Sequence, residues 1–154
     1  MVELTRRKHS VGQNAYHMIW KPKYNLKIFR HQFPREVCYS AITVAAKKHN
    51  IEIYELKVMP DHVHCFAGLP PTMTISKAFQ YLKGGSARLF FKRCTVWRAF
   101  CSSDGKIQPH LWSPGKFFRS VGNVTADVIE NYIAHSQGGW DFSYLEQKDL
   151  SSFR

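Results

Sequence analysis

IEIYELKVMPDHVHCFAGL, residues 51–69, decides the fold. Its first half is rich in β-forming residues, and Pro60-Asp61 makes a tight connection into a second extended run that Pro70 and Pro71 close. The punctuation predicts a hairpin-like strand pair. Because side chains alternate along a strand, Val63, Cys65, Ala67 and Leu69 share one face while His62, His64 and Phe66 share the other. The small apolar face belongs to the core. The two histidines then stand about 6.6 Å apart at Cα, from a rise of ~3.3 Å per residue.

Working outward, AYHMIWK at 15–21 reads as an earlier strand closed by Pro22, followed by a basic, aromatic-studded connection. Pro34 opens a first helix in which Val37, Ala41, Val44 and Ala45 recur at helical spacing until Asn50 stops it. From Thr74 or Ser76 to about Lys92 the residues Ile75, Phe79, Leu82, Ala87 and Phe90 predict a second helix, with Gly84-Gly85 weakening or kinking its middle. Residues 94–111 carry no clear pattern beyond an Asp104-Gly105 turn. LWSPGKFFRSVGN gives a strand with loops, and Thr125 caps a third helix, TADVIENYIAHSQ, that Gly138-Gly139 ends. The order β-α-β-β-α-β-α fits one α+β domain over residues 1–154, a ferredoxin-like sandwich with helices mainly on one face of an antiparallel sheet.

The chain has 154 residues, with 22 Lys+Arg against 11 Asp+Glu and a formal charge of +11. That imbalance points to a polyanionic partner, nucleic acid before membrane, because no basic amphipathic helix with a clean apolar face stands out. A basic surface kept for solubility is the competing reading. Cys38, Cys65, Cys94 and Cys101 form no CxxC pair and follow no signal peptide, which predicts buried thiols in a soluble cytoplasmic protein. No apolar stretch approaches the ~20 residues needed to cross a bilayer.

Imidazoles at 62 and 64 can converge on one cation from the same side, with Asp61 holding one of them in the correct tautomer. A bare HxH pattern is a weak signal, and two unrelated histidines on a half-exposed strand compete with it. A histidine-triad hydrolase would need a third histidine where Phe66 stands, and the second H-x-T/S element of a two-histidine phosphodiesterase is missing. Zinc held by Cys65 is disfavoured because its thiol points to the opposite face. On the last helix, Tyr132 shares a face with His135 and Ser136, whereas Gln137 is rotated away by roughly 140° in a regular helix.

Taken together, AYHMIWKPKY, VMPDHVHCFAGLPP, ISKAFQYLKGGSARLFF, LWSPGKFFRSVGN and VIENYIAHSQ resemble the single-tyrosine HUH transposases of the insertion-sequence 200/605 family, in order and over nearly the whole chain. The resemblance implies cleavage and rejoining of single-stranded DNA at element ends marked by hairpins, through a 5′-phosphotyrosine on Tyr132 and a free 3′-hydroxyl. It also implies a homodimer with composite active sites, and a divalent metal on His62, His64 and a glutamine. The family's glutamine lies four residues after the tyrosine, where this chain has Ser136. Either Gln137 swings in as the helix loosens toward Gly138 or His135 takes the role, and Gln137 is favoured.

An unperturbed tyrosine of pKa ~10 is a phenolate about once in a thousand at neutral pH, so Tyr132 needs activation or positioning. A cation on two imidazoles and an amide oxygen keeps positions open for phosphate and water, which suits Mg²⁺ or Mn²⁺. Lys21, Lys23, Arg88, Lys92, Arg93, Lys116 and Arg119 are the candidate phosphate contacts, and Tyr24, Phe90, Trp112 and Phe117 the candidate stacking surfaces for unpaired bases. Two alternatives stand beside this reading. One is a domesticated relative acting on chromosomal repeat hairpins; the other is a non-catalytic module that binds single-stranded nucleic acid through its sheet.

Overall fold

A computed structural model describes residues 5–101 and 110–121. Strands β1 (Thr5–Arg7) and β2 (Ser10–Gly12) form a small hairpin ahead of β3 (Ala15–Trp20). Helix α1 (Gln32–Lys48) leads to β4 (Glu52–Val58) and β5 (Val63–Gly68); α2 (Ile75–Arg93) and the short α3 (Thr95–Cys101) then precede β6 (Phe117–Val121). The four long strands lie in the order β4-β5-β3-β6, every neighbouring pair antiparallel. Leaving aside the hairpin and α3, this is the β-α-β-β-α-β succession of the ferredoxin-like sandwich, with the first and third strands of the unit at the centre.

The punctuation acts where the sequence places it. Asn50 adopts a left-handed φ of 56° and Ile51 N donates back to Ala46 O at 2.9 Å, closing the last turn of α1. Thr74 Oγ1 accepts from Lys77 N at 3.2 Å and so caps α2. Helix α2 runs unbroken through Gly84-Gly85, contrary to the expected weak middle. The reason is packing: a Cβ on Gly85 would stand 2.9 Å from Cβ of Ala45, so the glycine lets α1 and α2 approach each other. Gly84 faces open space.

Between the helices and one sheet face lies the core. Met18 and Trp20 from β3, and Val63, Cys65 and Ala67 from β5, pack with Val37, Cys38, Ile42, Phe79, Leu82 and Phe90 from the helices. All four cysteines are buried and free, as expected. Trp20 meets Phe79 and Trp112 edge-on at centroid distances of 6.0 and 5.9 Å. Segment 111–113 is stitched beside 21–23 by backbone bonds from Lys23 N to Leu111 O (2.8 Å) and from Ser113 N to Lys21 O (2.9 Å). The β1-β2 hairpin and α3 are elements that composition did not announce.

Candidate metal centre and nucleic-acid face

Alternation along β3 and β5 puts a second set of side chains on the sheet face turned away from α1 and α2. The register pairs His64 with Ile19 on β3 and Lys57 on β4, and pairs His17 with Phe66 on β5 and Arg119 on β6. His17 and His64 are therefore diagonal neighbours on the two central strands. Their Nε2 atoms meet, and the rings stand edge to face with centroids 3.9 Å apart at 82°. All six residues of β5 are buried, so the histidines do not sit on a half-exposed strand.

Burial sets the protonation of this pair. His64, 1% exposed, has its pKa pushed down to about 2, first by loss of solvent and then by His17, His62 and Lys57. His17, 6% exposed, is lowered to about 4 by burial and then by Arg119. Both imidazoles are neutral at pH 7, the state in which a ring nitrogen offers a lone pair to a cation. His62 immediately precedes β5, and its Nδ1–H donates to Asp61 Oδ1 at 2.9 Å. That tautomer leaves the lone pair on Nε2. The same hydrogen bond is the largest cause holding the Asp61 carboxyl below its ordinary pKa, against the opposing effect of burial and with help from His62 and Lys21 charge.

This donor set fits a divalent cation: imidazoles from adjacent strands, with His62 beside them oriented by a carboxylate. Among the described residues no three His, Cys, Asp or Glu side chains are grouped so as to hold a metal ion by themselves. Tyr132 and Gln137, with His135 and Ser136, lie outside the described residues. His17 is the site residue that sequence reasoning missed. The signal was present, since AYHMIW places His17 and Ile19 on one face of β3 and Tyr16, Met18 and Trp20 on the other.

The expected cations fall on two layers. Arg119 sits on β6 opposite His17, and Lys21 lies close enough to Asp61 to lower its pKa. Arg88, Lys92 and Arg93 are exposed on the C-terminal half of α2, away from the histidine face. Lys116 is exposed beside α2, its Nζ 3.4 Å from Ser76 Oγ and 5.7 Å from the Phe79 ring centroid. Half-buried Lys23 reaches over the ring of Tyr24 at 4.8 Å. Two of the four candidate stacking aromatics are corrected: Phe90 is wholly buried and Trp112 nearly so, its Nε1 donating to Ser86 Oγ at 3.0 Å. Phe117 is half-buried, whereas Tyr24 is 57% exposed and held out on a left-handed backbone. Near them a cleft of about 490 Å³ opens, lined by Lys23, Lys83, Gly84, His110, Trp112 and Ser113 among others.

The same framework occurs in transposases. In its crystal structure, a candidate transposase from Deinococcus radiodurans R1 superposes with a TM-score of 0.66 at 26% identity, over 86% of this chain and 97% of that one. The chain belongs to the IS200-like transposase family, whose model matches residues 10–136. It is 30% identical over 82% of its length to the transposase of insertion sequence element IS200 from Salmonella typhimurium, covering 79% of that protein. It is 29% identical to the ISDra2 transposase TnpA of Deinococcus radiodurans, over 86% of this chain and 90% of that protein. A REP-associated tyrosine transposase bound to a REP hairpin shares the fold at a TM-score of 0.50 and 20% identity, over 91% of this chain and 76% of that one.

Proposed function

We propose that this transposase cleaves and rejoins single-stranded DNA at the ends of an insertion sequence, through a covalent tyrosine intermediate and with a divalent metal. The observation that carries the reading is the histidine face, where His64 is buried and neutral on a central strand and His62 has its tautomer fixed by Asp61. In the proposed step, Tyr132 Oη attacks the scissile phosphorus and the P–O3′ bond breaks. The departing oxygen takes a proton to become a 3′-hydroxyl, and the 5′-phosphate stays esterified to the tyrosine. Attack by a 3′-hydroxyl reverses these bonds, so rejoining needs no external energy source.

His62, His64 and Gln137 are the proposed ligands. A bound Mg²⁺ or Mn²⁺ supplies electrostatic stabilisation of charge on the non-bridging phosphate oxygens. Asp61 keeps the His62 ring in register, and the buried surroundings of His64 keep its nitrogen unprotonated. Arg119, opposite His17, and Lys21, beside Asp61, are proposed to hold the phosphates flanking the cleavage point. Lys23, Arg88, Lys92, Arg93 and Lys116 are proposed to engage DNA further out, consistent with a formal charge of +11. The proposed substrate is single-stranded DNA bearing hairpins at the element ends. A homodimer, each tyrosine helix completing its partner's histidine site, is the proposed working form. Among the described residues no helix is long and apolar enough to cross a membrane.

The test is incubation with labelled single-stranded DNA carrying candidate element ends, in Mg²⁺ or in EDTA, followed by denaturing electrophoresis. A metal-dependent protein-DNA adduct, lost in Tyr132→Phe while hairpin binding persists, is expected. Binding without an adduct in any divalent metal would leave a non-catalytic nucleic-acid module in place of the enzyme.

A further inference from the structure

His17 is not part of the HVH stretch, yet it makes the most direct contact in the site. It comes from β3, one strand away, and the register sets it diagonally beside His64. The two Nε2 atoms are aimed at each other, with the rings nearly perpendicular. Both rings are buried on a sheet face that also carries the cations Lys57 and Arg119.

Two imidazoles aimed nitrogen to nitrogen have two uses. One ring can donate its N–H to the other, as a structural pair. Alternatively both Nε2 lone pairs can point at one shared cation, in which case each ring carries its proton on Nδ1. Lysine and arginine at the rim favour an occupant that brings anionic oxygens with it, which a cation carrying a phosphate does. We infer that His17 Nε2 is a metal ligand together with His64 Nε2, so that the centre draws imidazoles from two strands. This inference rests on the metal-dependent reading above and adds to it a ligand from β3. A consequence is that the centre depends less on Gln137 than a two-histidine site would.

Mn²⁺ binding to the full chain, read by electron paramagnetic resonance with inorganic phosphate present and without DNA, tests it. Wild type is expected to bind. His64→Gln and His17→Gln are each expected to weaken binding by more than about 100-fold, beyond the 10–100-fold typical of losing a partner outside the coordination sphere. Gln137→Ala is expected to weaken it less than His17→Gln. Folding of each variant is verified by its melting curve in EDTA. Should His17→Gln not fold, wild-type crystals soaked in Mn²⁺ answer the question through anomalous scattering. A peak within bonding distance of His17 Nε2 supports the assignment, and a peak on His62 and His64 alone overturns it. Mn²⁺ binding unchanged in folded His17→Gln would sink the assignment and leave the proposed function standing. Failure of wild type to bind any Mn²⁺ would remove the metal-dependent function, and this ligand with it.

Discussion

The two faces of the central strands make opposite use of the same backbone. Toward the helices, Met18, Trp20, Val63 and Cys65 present apolar surface and one thiol, and the whole face is absorbed into packing. On the other side of the same residues' neighbours, His17 and His64 are equally hidden from water but are titratable. Burial on the first face is favourable, at about 25 cal/mol per Å² of apolar surface. On the second it disfavours charge and holds imidazoles neutral. The apolar core occupies one face and the titratable pair the other, one residue apart along the chain.

Substitutions can break that division. Met18→Ala removes a fully buried side chain on the helix side. It is expected to cost about 2–5 kcal/mol in urea unfolding, the range for buried Met truncations. Mn²⁺ affinity of the folded fraction is expected to stay as in wild type. A large loss of affinity would mean that the two faces are coupled and the contrast is false.

A smaller effect is expected within the helix layer. Gly85→Ala forces a methyl group to 2.9 Å from Ala45 Cβ and should destabilise by about 1–3 kcal/mol, the usual cost of overpacking. Gly84→Ala, in open space one residue earlier, should instead stabilise by up to about 1 kcal/mol through helix propensity. Equal melting shifts for the two would mean that α1 and α2 are not in the close contact described.

The smallest effect concerns Lys83, whose Nζ donates to Ser113 O at 2.7 Å and to Gly115 O at 3.0 Å. Burial, then the charge of Lys116, lowers its pKa from 10.5 to about 8. The folded state therefore binds fewer protons than the unfolded chain between those values, so the penalty is full below about 8 and is relieved as pH rises toward 10.5. A neutral amine still has two N–H groups for the two carbonyls. Between pH 7 and 9.5, wild type should gain stability relative to Lys83→Met, by under about 1 kcal/mol once solvent screening is allowed for. A relative loss would contradict the direction of the shift.

Much of the fold was legible because its signals are local. Alternation in HVHCFAG assigns its faces without tertiary information, and Asn50 and Thr74 end or begin helices through their own backbone and side-chain bonds. What could not be read depended on distant partners. Gly84-Gly85 looks like a flaw until Ala45 is seen against it, and Phe90 and Trp112 resemble exposed stacking surfaces until they meet Phe29 in the core. His17 shows the same limit at the site. Its face was readable from AYHMIW, but its contact with His64 requires the pairing of strands 47 residues apart.

The four cysteines carry a practical corollary. Each is buried in the helix-facing core, and burial raises Cys65 to about 12 and Cys38 well above its ordinary value. Alkylating reagents attack thiolates that they can reach, so the native chain presents them with very little. Each labelling event then times an opening of the layer that encloses that sulfur. Cys38 on α1 and Cys65 on β5 are two internal stopwatches on either side of the same seam, and whether they run at one rate or two tells whether the sandwich opens as a unit or peels.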